Sequence, residues 1–209
     1  EVECIYQTKE YHSGRYNEYI KVAMDRRKEI FSIIDSFRTQ DATIEEIENY
    51  YPISIYCPVC HKDSTKILSY DEKTGNVSYE CTCGYSSNLN VNTATNIKLQ
   101  WKVDWPMRWM VEKVTFETAG MDHSAANGSK AVSERVVKEI YNYNPPVFTP
   151  YNFIGIKGGG AKMSSSKGNV LTLTDLLKVY DKNIILWFYA KYDPMHAFDI
   201  ALDNDEDLQ

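Results

Sequence analysis

The chain has 209 residues, of which 43% are hydrophobic and 25% charged, the balance of an ordinary globular protein with room for one sizeable domain or two small ones. Its net charge of -6 argues against a chain that grips polyanions over its whole surface, and no apolar run approaches the roughly 20 residues of a membrane span. The charge is uneven: residues 155–182 hold five lysines against two aspartates, whereas 193–209 hold six acids and no Lys or Arg. A local basic loop meets phosphate even when the total is acidic. The chain starts at Glu1 without a Met or a signal-peptide pattern. It therefore reads as a processed or partial chain from a cytoplasmic, non-membrane protein.

Taken in chain order, residues 15–38 repeat Tyr16, Ile20, Ala23, Ile30, Ile34 and Phe37 at helical spacing, which predicts one long helix. Thr43 and Glu46 fit a capping box, and Pro52 closes that segment. Residues 53–91 are short-stranded and turn-rich, with a hairpin expected to turn near Thr74-Gly75. The stretches NIKLQWKVDWPMRW and VTFETAGMDHS predict strands, KAVSERVVKEIYN (130–142) an amphipathic helix, and VFTPYNFIGI a buried strand. Thr172 and Asp175 fit a second capping box, and NIILWFYAKY reads as a further helix. Strands alternating with helices predict an α/β fold. The expected organisation is a helical part over 1–52, a metal-binding insertion over 53–91, an α/β region over 92–182 and the start of a helical region over 183–209.

Four of the five cysteines form two tight pairs, Cys57 with Cys60 and Cys81 with Cys83, separated by 20 residues. Two such turns joined by a hairpin supply four thiolates to a tetrahedral zinc ion. The second pair is C-x-C, which leaves His61 as an alternative ligand. Residues 57–61 also match the haem-attachment pattern C-x-x-C-H, but that pattern leaves Cys81 and Cys83 without a purpose. Redox-active or simply buried cysteines are the other readings.

The stretch GIKGGGAKMSSSKGNVL (155–171) satisfies neither standard phosphate cradle. Ala161 stands where a P-loop needs its Lys, and Met163 breaks the third position of the dinucleotide fingerprint. Glycines that let backbone approach an anion remain, with serine hydroxyls and two lysines, Lys162 and Lys167. These lysines would offset charge on a departing pyrophosphate. A solvated lysine loop has the same composition.

KMSSSKGN resembles the KMSKS signature of class I aminoacyl-tRNA synthetases. Together with SGRYNEYI, VDWPMRW, AGMDHSAANGS and AFDIALDNDE, it makes essentially the whole chain similar to class I lysyl-tRNA synthetases. The resemblance implies the second half of a Rossmann-like catalytic domain with an inserted zinc-binding hairpin module. It implies ATP with Mg2+, lysine and tRNA(Lys) as substrates and partners, a structural Zn2+, and a monomer as the usual state. The HIGH-type motif is not found, so the HIGH-bearing half and the anticodon-binding part are expected elsewhere in the protein, and this span is expected to be inactive alone. Lys162, Met163, Ser164 and Ser166 match four KMSKS positions; Ser165 replaces the second lysine, and Lys167 supplies a charge one register on. The resemblance assigns Asp122 to the ribose hydroxyls and His123 to the amino-acid side.

A lysine pocket needs aromatic faces or a carboxylate for the ammonium. The candidates are Trp101, Trp105, Tyr151 and Asp104, each of which could equally be packing; Arg108 could pair with Asp104 as plain structure. Two rival readings are another class I synthetase and a zinc-containing nucleic-acid-binding module without chemistry. The charges of the hairpin, slightly acidic on balance, argue against the latter.

Overall fold

The computed structural model describes residues 2–157, 163 and 170–200. They fall into two compact units, Glu1–Thr115 with Ala126–Pro146, and Phe116–Ala125 with Val147–Gln209.

The first unit opens with helices α1 (Gln7–His12), α2 (Asn17–Asp25) and α3 (Arg27–Asp35). The single long helix expected over 15–38 is broken at Arg26, whose φ of -99° and ψ of 20° depart from helical values. The departure has a tertiary cause: the Arg26 guanidinium donates to the Ile140 carbonyl at 2.7 Å and pairs with Glu29. Ile20, Ala23, Met24 and Ile30 are fully buried, so the helical stripe read from the sequence does face the core. Helix α4 (Ile44–Asn49) starts at the expected capping box, with Thr43 Oγ1 accepting from the Glu46 N–H and the Glu46 carboxylate accepting from the Thr43 N–H.

Strand β1 (Ile53–Ile55) leads into an antiparallel sheet of β2 (Thr65–Asp71), β3 (Asn76–Cys81) and β4 (Ser86–Asn90). β5 (Ile97–Leu99) returns to pair antiparallel with β1. The three-stranded sheet thus grows from a two-stranded stem. The β2–β3 turn falls where expected, with Gly75 at φ 77°, a conformation L side chains rarely adopt. Val77, Tyr79 and Val91 join the same core as α2 and α3, so the sheet shares the helices' interior.

Residues 101–111 depart from the strand expectation. They form helix α5 (Trp101–Val111), with Trp101, Trp105 and Trp109 repeating at the i, i+4 spacing. Their rings contact in series, with centroids 5.0 Å apart and nearly parallel for the first pair and 4.9 Å and tilted for the second. Pro106 and the aromatic content misdirect a local reading. Val103, Trp105, Met107 and Trp109 are buried, so the packing gain outweighs the poor propensity. Helix α6 (Ser129–Glu139) follows the predicted amphipathic stretch and buries Val132, Val136 and Val137.

The second unit holds β6 (Phe116–Gly120) paired parallel with β7 (Val147–Tyr151), and β8 (Ile154–Ile156) paired parallel with β9 (Phe198–Ile200). VFTPYNFIGI is therefore two part-exposed strands instead of one buried strand. Asn152 and Phe153 separate them, and the Asn152 N–H and side-chain amide donate to the Pro194 and Met195 carbonyls. The Thr172/Asp175 capping box opens the short helix α7 (Leu173–Leu176), and α8 (Lys182–Lys191) is the expected last helix. The fold is mixed α/β, and the described helices include none long and apolar enough to cross a membrane.

Candidate functional site

The four paired cysteines come together. The sulfurs of Cys57, Cys60, Cys81 and Cys83 lie within 4.8 Å of one another. The Cys57–Cys83 and Cys60–Cys81 distances are 3.7 and 3.6 Å. Four thiolates at about 2.3 Å from a zinc ion have tetrahedral edges of about 3.8 Å, which these two distances match. Each pair sits on a tight turn. His61 donates its N–H to the Cys57 carbonyl and has φ 59°; Gly84 donates to the Cys81 carbonyl with φ 91°. His61 is outside the group that comes together, which answers the alternative ligand with four cysteines among the described residues.

The electrostatics also ask for a cation. Burial opposes the Cys57 thiolate, but N–H groups of Cys60 and Val59 and the neighbouring thiols bring its pKa down to about 7. At Cys83 the Tyr85 N–H favours the thiolate, while the Cys81, Cys57 and Cys60 thiols and burial push it up to about 11. Thiolates this close oppose one another's ionisation unless a metal ion takes up the charge.

In the first unit, Asp104 is 2% exposed. Its carboxylate pairs with Arg108 at 3.0 Å and accepts from the Tyr11 hydroxyl, which itself accepts from the Leu99 N–H. Burial, with Asp104 beside it, pushes the Tyr11 pKa far above the ordinary phenol range. The structural pairing of Asp104 with Arg108 is thus what the fold contains. Tyr11, a partner 93 residues away in sequence, had no local signal. The Arg108 guanidinium also lies 5.6 Å from the Trp101 ring centroid, and Trp101 remains 43% exposed at the surface. Trp105, by contrast, is core.

In the second unit, Gly120 and Tyr151 are register partners at the carboxyl ends of the parallel strands β6 and β7. The Met121 N–H donates to the Tyr151 carbonyl at 2.8 Å, and the next turn carries Asp122 and His123, with the His123 N–H donating to the Gly120 carbonyl. Asp122, His123 and Tyr151 therefore share one strand end, where open parallel sheets bind ligands. Asp122 Oδ1 folds back over Gly120 so closely that a Cβ there would lie 2.7 Å from it.

Beside this strand end is a cavity of about 580 Å³, lined among others by Tyr151, Phe153, Met163, Tyr192 and His196. Tyr192 and His196 stack with centroids 5.1 Å apart, and a YxxxH spacing was the only sequence trace of that wall. Of the signature loop only Met163 is described; Lys162, Ser164, Ser165, Ser166 and Lys167 lie outside the described residues, as do the acids beyond Ile200.

The family of tRNA synthetases class I (K) matches the chain over residues 1–208. The chain belongs to that family. A lysine--tRNA ligase of Borreliella burgdorferi is 42% identical over 203 residues, covering 97% of this chain and 38% of its own length. The lysine--tRNA ligases of Streptomyces coelicolor and Pyrococcus horikoshii are 37% and 36% identical, covering 98% and 97% of this chain and 40% and 38% of theirs. The chain therefore spans roughly two fifths of the relatives it matches.

Proposed function

We propose that the chain is the central part of a lysine–tRNA ligase that activates lysine with ATP and Mg2+ and transfers it to the 3′ adenosine of tRNA(Lys). The observation that carries this reading is similarity along nearly the whole chain to relatives named lysine--tRNA ligase in bacteria and archaea. The parallel pair β6–β7 is read as part of a Rossmann-like sheet, and residues 53–91 as its zinc-binding insertion. The zinc is structural: its four protein ligands leave no position for a substrate.

Lys162 and Lys167, with Ser164, Ser166 and Met163, would hold the phosphates. Lys162 would act mainly on the activation step, because charge develops there on the departing pyrophosphate. Asp122 would hold the ribose. His123, Tyr151 and the exposed face of Trp101 would meet the lysine substrate. Asp104, already held by Arg108 and Tyr11, would act by positioning the Trp101 helix and not by direct contact. The span alone would be inactive, and the whole protein a cytoplasmic monomer.

The test is pyrophosphate exchange by the full-length protein across the amino acids. Exchange with lysine, and its loss by about a hundredfold in Lys162→Ala, is expected. Exchange with a different amino acid only would overturn the reading.

A further inference from the structure

Helix α5, which carries Trp101, begins without a side-chain cap at Gln100. A phenol from α1 holds its start. The Tyr11 hydroxyl accepts from the Leu99 N–H at 3.3 Å and donates to the Asp104 carboxylate, so it bridges the last residue of β5 and the first turn of α5. Asp104 in turn holds Arg108 at 3.0 Å. The Arg108 guanidinium lies 5.6 Å from the Trp101 ring centroid, and the Trp105 ring stacks on Trp101 with centroids 5.0 Å apart. Tyr16, fully buried and edge-on to Tyr11, reaches the opposite end of the helix, where its hydroxyl bonds the Glu112 carboxylate at 2.8 Å.

Two buried tyrosine hydroxyls therefore grip the two ends of one helix, and the bonds of Tyr11 are the ones that lead to Trp101. Without the Tyr11 donor the Asp104 carboxylate can turn, and Arg108 turns with it. Asp104 also cancels the Arg108 charge, which would otherwise repel an ammonium brought to the same ring. We infer that Tyr11 is a positioning residue for the amino-acid substrate: through Asp104 and Arg108 it fixes the Trp101 ring, and with it the affinity for lysine. The inference rests on the role proposed for Trp101 as a lysine contact. The rival role for Tyr11 is stability alone, since a buried phenol bonded to a carboxylate steadies the fold wherever it occurs.

Two conservative variants of the full-length protein separate these roles. Tyr11→Phe and Tyr16→Phe each delete one buried hydroxyl and keep the ring, so both should lower the urea midpoint. In lysine-dependent pyrophosphate exchange, Tyr11→Phe is expected to raise the KM for lysine by about tenfold, the order of one partly desolvated cation–π contact. Its kcat and its KM for ATP should not change, and Tyr16→Phe should leave all three as in the parent. A second readout needs no activity. With 5-fluorotryptophan incorporated, the 19F resonance of Trp101, assigned by Trp101→Phe, should shift in Tyr11→Phe and stay in place in Tyr16→Phe. Asp104→Asn breaks the same chain of contacts one link further on, and carries the test alone if Tyr11→Phe does not fold. It should also raise the KM for lysine, and the double variant should be no worse than the worse single one. An unchanged KM for lysine in Tyr11→Phe overturns the inference, as do an equal rise in Tyr16→Phe, a parallel rise in the KM for ATP, or an unmoved Trp101 resonance. A shifted resonance in a protein whose parent does not exchange with lysine would count against the proposed function and leave the hold of Tyr11 on Trp101 standing.

Discussion

Gly120 illustrates how a single hydrogen atom decides a site. A methyl group there would meet Asp122 Oδ1 at 2.7 Å, so the carboxylate must swing away. In the full-length protein Gly120→Ala should cut kcat/KM for lysine activation by ten- to a hundredfold, the cost of misplacing a positioning group by about an ångström. A variant as active as the parent would overturn the proposed role of Asp122 in holding the nucleotide. Asp104 offers a test of stability. Removing it leaves Arg108 and Tyr11 without their shared partner, and Asp104→Ala should lower the unfolding free energy by about 3 kcal/mol in urea titrations. Asp175 gives the pH test. Lys178, then the Thr172 hydroxyl and N–H, hold its carboxyl at about 2 instead of the ordinary 3.8. A depressed folded pKa stabilises above the unfolded value, so the α7 cap is intact above about pH 4 and weakens as pH falls toward 2. Amide exchange at Asp175 should follow that curve, and Asp175→Asn should abolish it. The two capping boxes were legible because a cap needs only residues three apart. Tyr11 was not, because its meeting with Asp104 spans most of the first unit.

Among the elements, the β2–β3–β4 sheet depends on two supports. One is the cysteine group. Stripping the metal with a chelator should expose the β2–β4 amides to hydrogen exchange well before those of α2 and α3, and a Cys81→Ser variant should do the same without chelator. Equal protection with and without metal would show that the thiols serve some other end. The second support is a clamp at the hairpin tip. Lys21 pairs with Asp25 and donates to the Glu72 carbonyl, while the Tyr70 hydroxyl donates to Asp25. Tyr70→Phe should cost about 1 kcal/mol and loosen the tip. The hairpin was readable from its turn and cysteines. Its seat on the helical core was not, because Val77 and Tyr79 alternate like any half-buried strand whatever covers them. Helix α5 shows the opposite case. The Trp-x3-Trp-x3-Trp spacing was present in the sequence, but the aromatic content favours a strand and Pro106 opposes a helix interior, and the burial of Val103, Trp105, Met107 and Trp109 overrode both.

For the molecule as a whole, residue order by itself determined the family, the pairing of cysteines able to hold a metal, both capping boxes and the Asp-His turn. These are local patterns whose chemistry needs residues a few positions apart. The tertiary structure alone decided that 101–111 is helical, that 15–38 breaks at Arg26, and that Asp104 is already engaged. It also decided that Gly120 and Tyr151 meet at one strand end and that Tyr11 ties Leu99 to Asp104 across the start of α5. Each of these rests on contacts between residues tens of positions apart, where packing and charge pairing outweigh local propensity.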